Sequence, residues 1–140
     1  MFLVLVALLA GGGKPQAPKP QVELKATPMM AIIPIGANPA IVRFQLIVKD
    51  GGDENFYCPR VEWEWENGTQ SVEESDCPPF DKATPADHQA SFRRSHEFWE
   101  PGKHVIQARL YKSDKLIRKV EVSVEVRGES TPAYMRSRDN

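Results

Sequence analysis

The segment R-V-E-W-E-W-E at residues 60–66 constrains this chain more than any other stretch. Val61, Trp63 and Trp65 fall on one side of an extended backbone, and Glu62, Glu64 and Glu66 on the other. Successive strand side chains point to opposite faces, so this is a strand with one dry and one wet face. Asn67-Gly68 follows, the strongest short-range signal for a two-residue hairpin turn. Such a turn sets Glu66 opposite Thr69, and Cys58 opposite Cys77. The expected centre of the fold is therefore one hairpin closed at its far end by a Cys58–Cys77 disulfide. The same register sets Glu62 against Glu73, a like-charge pair, and inward Val61 against Glu74. The second arm is accordingly expected to be a short edge strand that turns into loop before Cys77.

The rest of the chain reads the same way. Residues 22–27 alternate weakly and make a first strand. Pro28, Pro34 and Pro39 reduce residues 29–35 to at best an edge strand that kinks or changes sheets. Residues 40–49 alternate cleanly, with Val42, Phe44, Leu46 and Val48 on one face. Asp50-Gly51-Gly52-Asp53-Glu54-Asn55 is a loop by composition. Pro78 and Pro79 end the hairpin's second arm, and residues 80–89 show no period. Strands follow at 90–98, with Phe92, His96 and Phe98, at 104–111, with Ile106, Ala108 and Leu110 inward, and at 116–126, with Val120, Val122, Val124 and Val126 inward. Pro101-Gly102 supplies the tight turn between the first two. About seven short, turn-bounded strands predict an all-β fold, a two-sheet antiparallel sandwich.

The last hairpin sets a parity condition. Inward residues are even-numbered on both of its strands, and directly opposed residues share a face. A two-residue turn at Ser113-Asp114 would carry Lys119 and Glu121 into the core. The expected solution is a three-residue loop, or an equivalent bulge, that sets Ala108 opposite Val120 and Ile106 opposite Val122.

Compartment is read from the N-terminus. Residues 2–10 are a continuous apolar run ending in Gly11-Gly12-Gly13. The run is too short to span a bilayer as a helix. It matches the core of a secretory signal, with Ala10 and Gly12 at the small-residue positions of a cleavage site, although no Lys or Arg precedes it. The expected organisation is a signal peptide at 1–12, a Pro-rich linker at 13–20, one domain at 21–128 and a polar disordered tail at 129–140. The expected location is secreted or periplasmic, with membrane contact only through an uncleaved signal segment. In an exported chain the two cysteines are expected to bond. A net charge of −1 leaves no electrostatic footprint for nucleic acid.

Two stretches resemble a known family. Trp63-Glu64-Trp65-Glu66-Asn67-Gly68 resembles the W-x-F-G-D-G signature of PKD domains, the immunoglobulin-like modules of polycystin and many bacterial extracellular proteins. His96-Glu97-Phe98-Trp99-Glu100-Pro101-Gly102-Lys103-His104-Val105-Ile106 resembles the family's H-x-Y-x-x-P-G-x-Y-x-V. The likeness spans residues 21–128, and the chain departs from it in several places. Glu66 and Asn67 replace the Gly and Asp of the signature, His104 replaces the usual Tyr, and Arg94 stands where an apolar residue is usual. The disulfide is not part of the family pattern. The resemblance implies a divergent PKD-like, immunoglobulin-like sandwich without an active site, serving in binding, adhesion or spacing.

Candidate binding residues are few. Trp63 and Trp65 share the dry face and are expected in the core. Trp99, Tyr57 and Tyr111 are the candidate binding surface, because exposed aromatics stack on sugar rings or anchor protein contacts. Their partner would be a protein or a polysaccharide at the cell surface, and the alternative function is a carbohydrate-binding accessory domain. Glu62, Glu64, Glu66 and Glu73 are expected on an acidic outer face near Arg109. Strand carboxylates pointing one way do not form a calcium cage; Asp50, Asp53 and Glu54 in their Gly-rich loop come nearer, without EF-hand spacing. His96 and His104 have inward parity and make at most half a zinc site. Ser95-His96-Glu97 is not a triad, because strand neighbours point to opposite faces. No cofactor, metal site or enzymatic activity is expected.

Overall fold

The computed structural model describes residues 19–34 and 38–128. The expected signal segment, most of the linker and the expected disordered tail lie outside the described residues. Eight strands form two sheets. One has the order β1 (Gln21–Thr27), β3 (Ala40–Lys49), β6 (Gln89–Phe98). The other has the order β2 (Met30–Ile33), β8 (Lys115–Gly128), β7 (Gly102–Lys112), β4 (Arg60–Glu64), β5 (Gln70–Glu73). A 3₁₀ turn spans Glu54–Phe56. The interrupted stretch after Pro28 does change sheets: β1 pairs with β3, whereas β2 crosses over and runs parallel to β8. That parallel pair is a departure from the expected all-antiparallel sandwich.

Alternation decides what is buried. Val42, Phe44, Leu46 and Val48 of β3 face Val61, Trp63, Ile106, Ala108 and Leu110 of the opposite sheet, all at 0–1 % exposure. Burying each of the larger side chains contributes about 1.5–3 kcal/mol. Phe98, Val124 and Val126 close the same core.

The last hairpin meets its parity condition by a bulge. Ala108 pairs with Val120 and Ile106 with Val122, as core burial requires. Nearer the turn, Lys112 pairs with Lys115 around a two-residue turn whose first residue, Ser113, has φ 53°. One extra residue, Ile117, is absorbed between Leu110↔Arg118 and Tyr111↔Leu116.

The β4–β5 hairpin corrects the register read from Asn67-Gly68. Val61 pairs with Glu73 and Trp63 with Ser71. Trp65 N–H donates to Thr69 O and Gly68 N–H to Trp65 O, both at 3.0 Å, so the loop holds three residues and ends on Gly68 at φ 78°. This is a type I turn followed by a left-handed glycine. The shift by one residue separates Glu62 from Glu73 and leaves Val72 54 % exposed. Ser71 and Glu73 turn inward instead, because the buried indoles need acceptors. Trp65 Nε1 donates to Ser71 Oγ at 3.0 Å, and Trp63 Nε1 to Glu73 Oε2 at 3.2 Å. Glu73 is therefore not part of the acidic outer face. Arg94, on the inward side of β6, places Nε 2.6 Å from Glu73 Oε1, off the line of its N–H bond. This ion pair joins the free edges of the two sheets. Cys58 and Cys77 are bonded, with Cα atoms 6.2 Å apart, beyond the last pairs of the ladder rather than within it.

Candidate binding site

The β4–β5 loop and the β6–β7 turn meet at one end of the sandwich. Beneath them lies a column of rings. The indoles of Trp63 and Trp65 stack at 5.6 Å and 3°, and the His96 imidazole stacks on Trp65 at 4.5 Å and 1°. Phe98 meets His96 edge-on at 4.9 Å, and His104 lies 4.9 Å beyond Phe98. Each aromatic contact adds about 0.5–1.5 kcal/mol beyond area burial. The two histidines thus do not meet, because Phe98 separates them. Each ties a loop down instead. His96 Nε2 lies 3.0 Å from Glu66 Oε2, in the β4–β5 loop. His104 Nε2 lies 3.0 Å from Glu100 O, in the β6–β7 turn.

Trp99 stands on this platform. Phe98 points into the core, so strand alternation turns the next side chain out, and Trp99 is 60 % exposed. It forms one wall of a groove of about 560 Å³, lined also by Glu66, Asn67, Glu100, Lys103, His104 and Val105. Asn67 Oδ1 is used by Thr69 N–H and Thr69 Oγ1, which fixes the amide. Its NH₂, the Glu100 carboxylate and the Lys103 ammonium have no partner among the described residues. The groove therefore combines an aromatic face and the exposed Val105 with donors and a carboxylate that no described residue engages.

The other two candidate aromatics are not brought to it. Tyr111 lies near the opposite end of β7, about 25 Å away at the rise of a strand. The Arg60 guanidinium covers its ring at 4.8 Å. Tyr57 donates its hydroxyl to Pro78 O at 2.7 Å and packs on Phe80 and His88 at 5.4 and 5.2 Å. It serves to pin the segment that carries the disulfide.

The acidic residues of the Gly-rich loop each make internal contacts, although the buried Asp50 Oδ2 has no partner among the described residues. Asp50 is fully buried, and its Oδ1 accepts from Gly52 N–H and His88 N–H at 2.9 Å. Asp53 caps the 3₁₀ turn through Asn55 N–H, and Glu54 pairs with Lys82 at 3.5 Å. Gly51 (φ 59°) is where the N-terminal segment crosses: a Cβ there would lie 2.5 Å from Lys19 C. On the outer face of β4, Glu64 pairs with Arg109 at 3.1 Å and Glu62 with Arg60 at 3.4 Å. Among the described residues no group of three or more His, Cys, Asp or Glu is placed to hold a metal ion.

Sequence reasoning did not name Glu100, Lys103 or Asn67 as site residues, nor pair Glu73 with Arg94. The second had a signal: an arginine of inward parity needs an acid from the facing sheet.

No family model matches this chain, and no curated protein does. Among solved structures, it is similar to the CARDB domain of a Pyrococcus furiosus protein, crystallised in complex with di-metal ions. The TM-score is 0.54 at 12 % identity, over 84 % of this chain and 100 % of that one. The likeness shows the fold, an immunoglobulin-like β-sandwich.

Proposed function

We propose that this chain is a non-catalytic, divergent PKD-like module of the cell envelope or exterior, and that it binds its partner through the Trp99 groove. The observation that carries this reading is an indole exposed on a rigid aromatic platform beside unengaged polar groups. Monomeric surfaces hold single aromatics for no reason of binding, but this one lines a groove of the size ligand sites take. The disulfide and the apolar N-terminal run support a location outside the reducing cytosol.

A carbohydrate is the ligand class that the groove's chemistry favours second to a protein. An indole face stacks on a sugar ring, while Glu100, Asn67 and Lys103 can bond hydroxyls. The test is a binding screen of xylan, mixed-linkage glucan, chitin oligomers and peptidoglycan fragments, alongside the surface proteins of the producing cell, with wild type and Trp99→Ala. Binding lost in Trp99→Ala is expected for one class. Silence from every polysaccharide removes the carbohydrate reading, and binding indifferent to Trp99→Ala removes the groove.

A further inference from the structure

The four sheet edges are not guarded alike. An edge presents unpaired N–H and C=O groups, and natural sheets blunt it with charged residues, brevity or proline. The outward side chains of β1 include Glu23 and Lys25, and those of β6 include Arg93 and Glu97. The short edge β5 presents Gln70 and one apolar residue, Val72, 54 % exposed. The outward side chains of β2 are Met30 and Ile32, 49 % and 61 % exposed, with Met29 before them at 62 %.

The backbone of β2 is equally open. It runs parallel to β8, from Met30↔Glu125 to Ile33↔Gly128. Glu125 N–H donates to Met29 O at 2.9 Å, which fixes the phase of the ladder. In a parallel pair, alternate residues direct both polar groups to the same neighbour. Ala31 therefore spends its N–H and C=O on β8, and Met30 and Ile32 direct theirs to the other side. No strand among the described residues lies there. Within β2, the two residues whose backbone groups no described strand engages are thus the two with exposed apolar side chains.

We propose that β2 accepts an extended segment of a partner protein as an added strand, with apolar residues at alternate positions lying beside Met30 and Ile32. The chemistry selects a polypeptide, since a peptide backbone supplies N–H and C=O groups at strand spacing and main-chain bonds give this mode its affinity. A groove of about 580 Å³ over the outer face of β2, β8 and β7 adjoins this edge; Met29, Met30, Gly102 and Val126 line it together with Lys103, Ser123 and Glu125. A second copy of the chain is the poorer occupant. Pro28 and Pro34 bracket a strand of 4 residues, and so short a ladder falls well below the roughly 1,000 Å² of a lasting interface. The inference adds a polypeptide-binding edge to the Trp99 groove and stands without it.

The test uses the purified protein and an end-blocked heptapeptide that alternates valine with threonine or lysine, with amide exchange followed by NMR. At saturation the Met30 and Ile32 amides are expected to exchange at least about tenfold more slowly, with Ala31 and Ile33 unchanged. Met30→Pro removes an N–H that β8 does not use. It is expected to weaken binding at least about tenfold while leaving the melting temperature in place. No peptide binding, protection on β1, β5 or β6 instead, or equal binding by Met30→Pro would overturn the proposal. Protection that appears without peptide and rises with protein concentration assigns the edge to a second copy and also overturns it. Trp99→Ala should leave the peptide protection intact, so a failure of the groove reading is seen separately.

Discussion

Replacing Glu73 separates the two interactions its carboxylate makes. It accepts from the indole of Trp63, which is fully buried, and pairs with Arg94, whose side chain is 40 % exposed. Glu73→Ala leaves a buried N–H without a partner, which costs about 1–3 kcal/mol. The Arg94 guanidinium can turn to water, so loss of the ion pair adds at most about 1 kcal/mol. Glu73→Gln keeps an acceptor for the indole and loses only the charge. The expectation is about 2 kcal/mol for Glu73→Ala and under about 1 kcal/mol for Glu73→Gln, read by urea unfolding with unchanged slope. Near 4 °C of melting temperature per kcal/mol, the alanine variant should melt about 8 °C lower. If glutamine costs as much as alanine, the ion pair rather than the indole acceptor turned this strand inward, and the reasoning is wrong.

Three further outcomes are expected. Replacing both cysteines with serine removes a bridge of sequence separation 19 and should cost about 3 kcal/mol in chemical denaturation; an unchanged midpoint would show that Tyr57 and its neighbours hold that end alone. Gly51→Ala should destabilise by well over the roughly 1–2 kcal/mol of a left-handed residue, because its Cβ meets the Lys19–Pro20 backbone, whereas Gly68→Ala meets nothing within 4 Å and should cost only that amount. Equal losses would mean the N-terminal segment does not pack there. Asp81 is held below the usual carboxylate range by hydrogen bonds from the Thr84 hydroxyl and from Ala83 and Thr84 N–H. Any stability it contributes is present above the ordinary carboxylate range and lost as pH falls through the lowered value; Thr84→Ala should move its titration upward by NMR.

Period-two alternation made most of this fold legible. Val42 through Val48, Ile106 through Leu110, and Val120 through Val126 all fall inward as their parity requires. The same parity requires an insertion in the last hairpin, and Ile117 supplies it. The β4–β5 hairpin follows a different rule, because Asn67-Gly68 is not a complete turn there. With a two-residue turn Val72 would have opposed Trp63 and been buried, a gain of about 1.5–3 kcal/mol. Two buried indole N–H groups and an inward Arg94 outweigh it, a polar demand that hydrophobic pattern alone does not display. The disulfide was expected for a register that does not hold; it forms because both chain ends leave the ladder together. Of the candidate surface, Trp99 could be placed by its neighbour Phe98. Tyr57 and Tyr111 could not, since loop packing and the Arg60 contact depend on residues distant in sequence.

The central claim is that partner binding covers Trp99. Three tryptophans report on it unequally: Trp63 and Trp65 are 0 % and 6 % exposed, and Trp99 is 60 % exposed. Acrylamide should therefore quench chiefly the Trp99 emission of the free protein. With a saturating ligand from the binding screen, that quenchable component should disappear while the buried pair stays unchanged. A ligand that binds tightly and leaves Trp99 as quenchable as before would contradict the account.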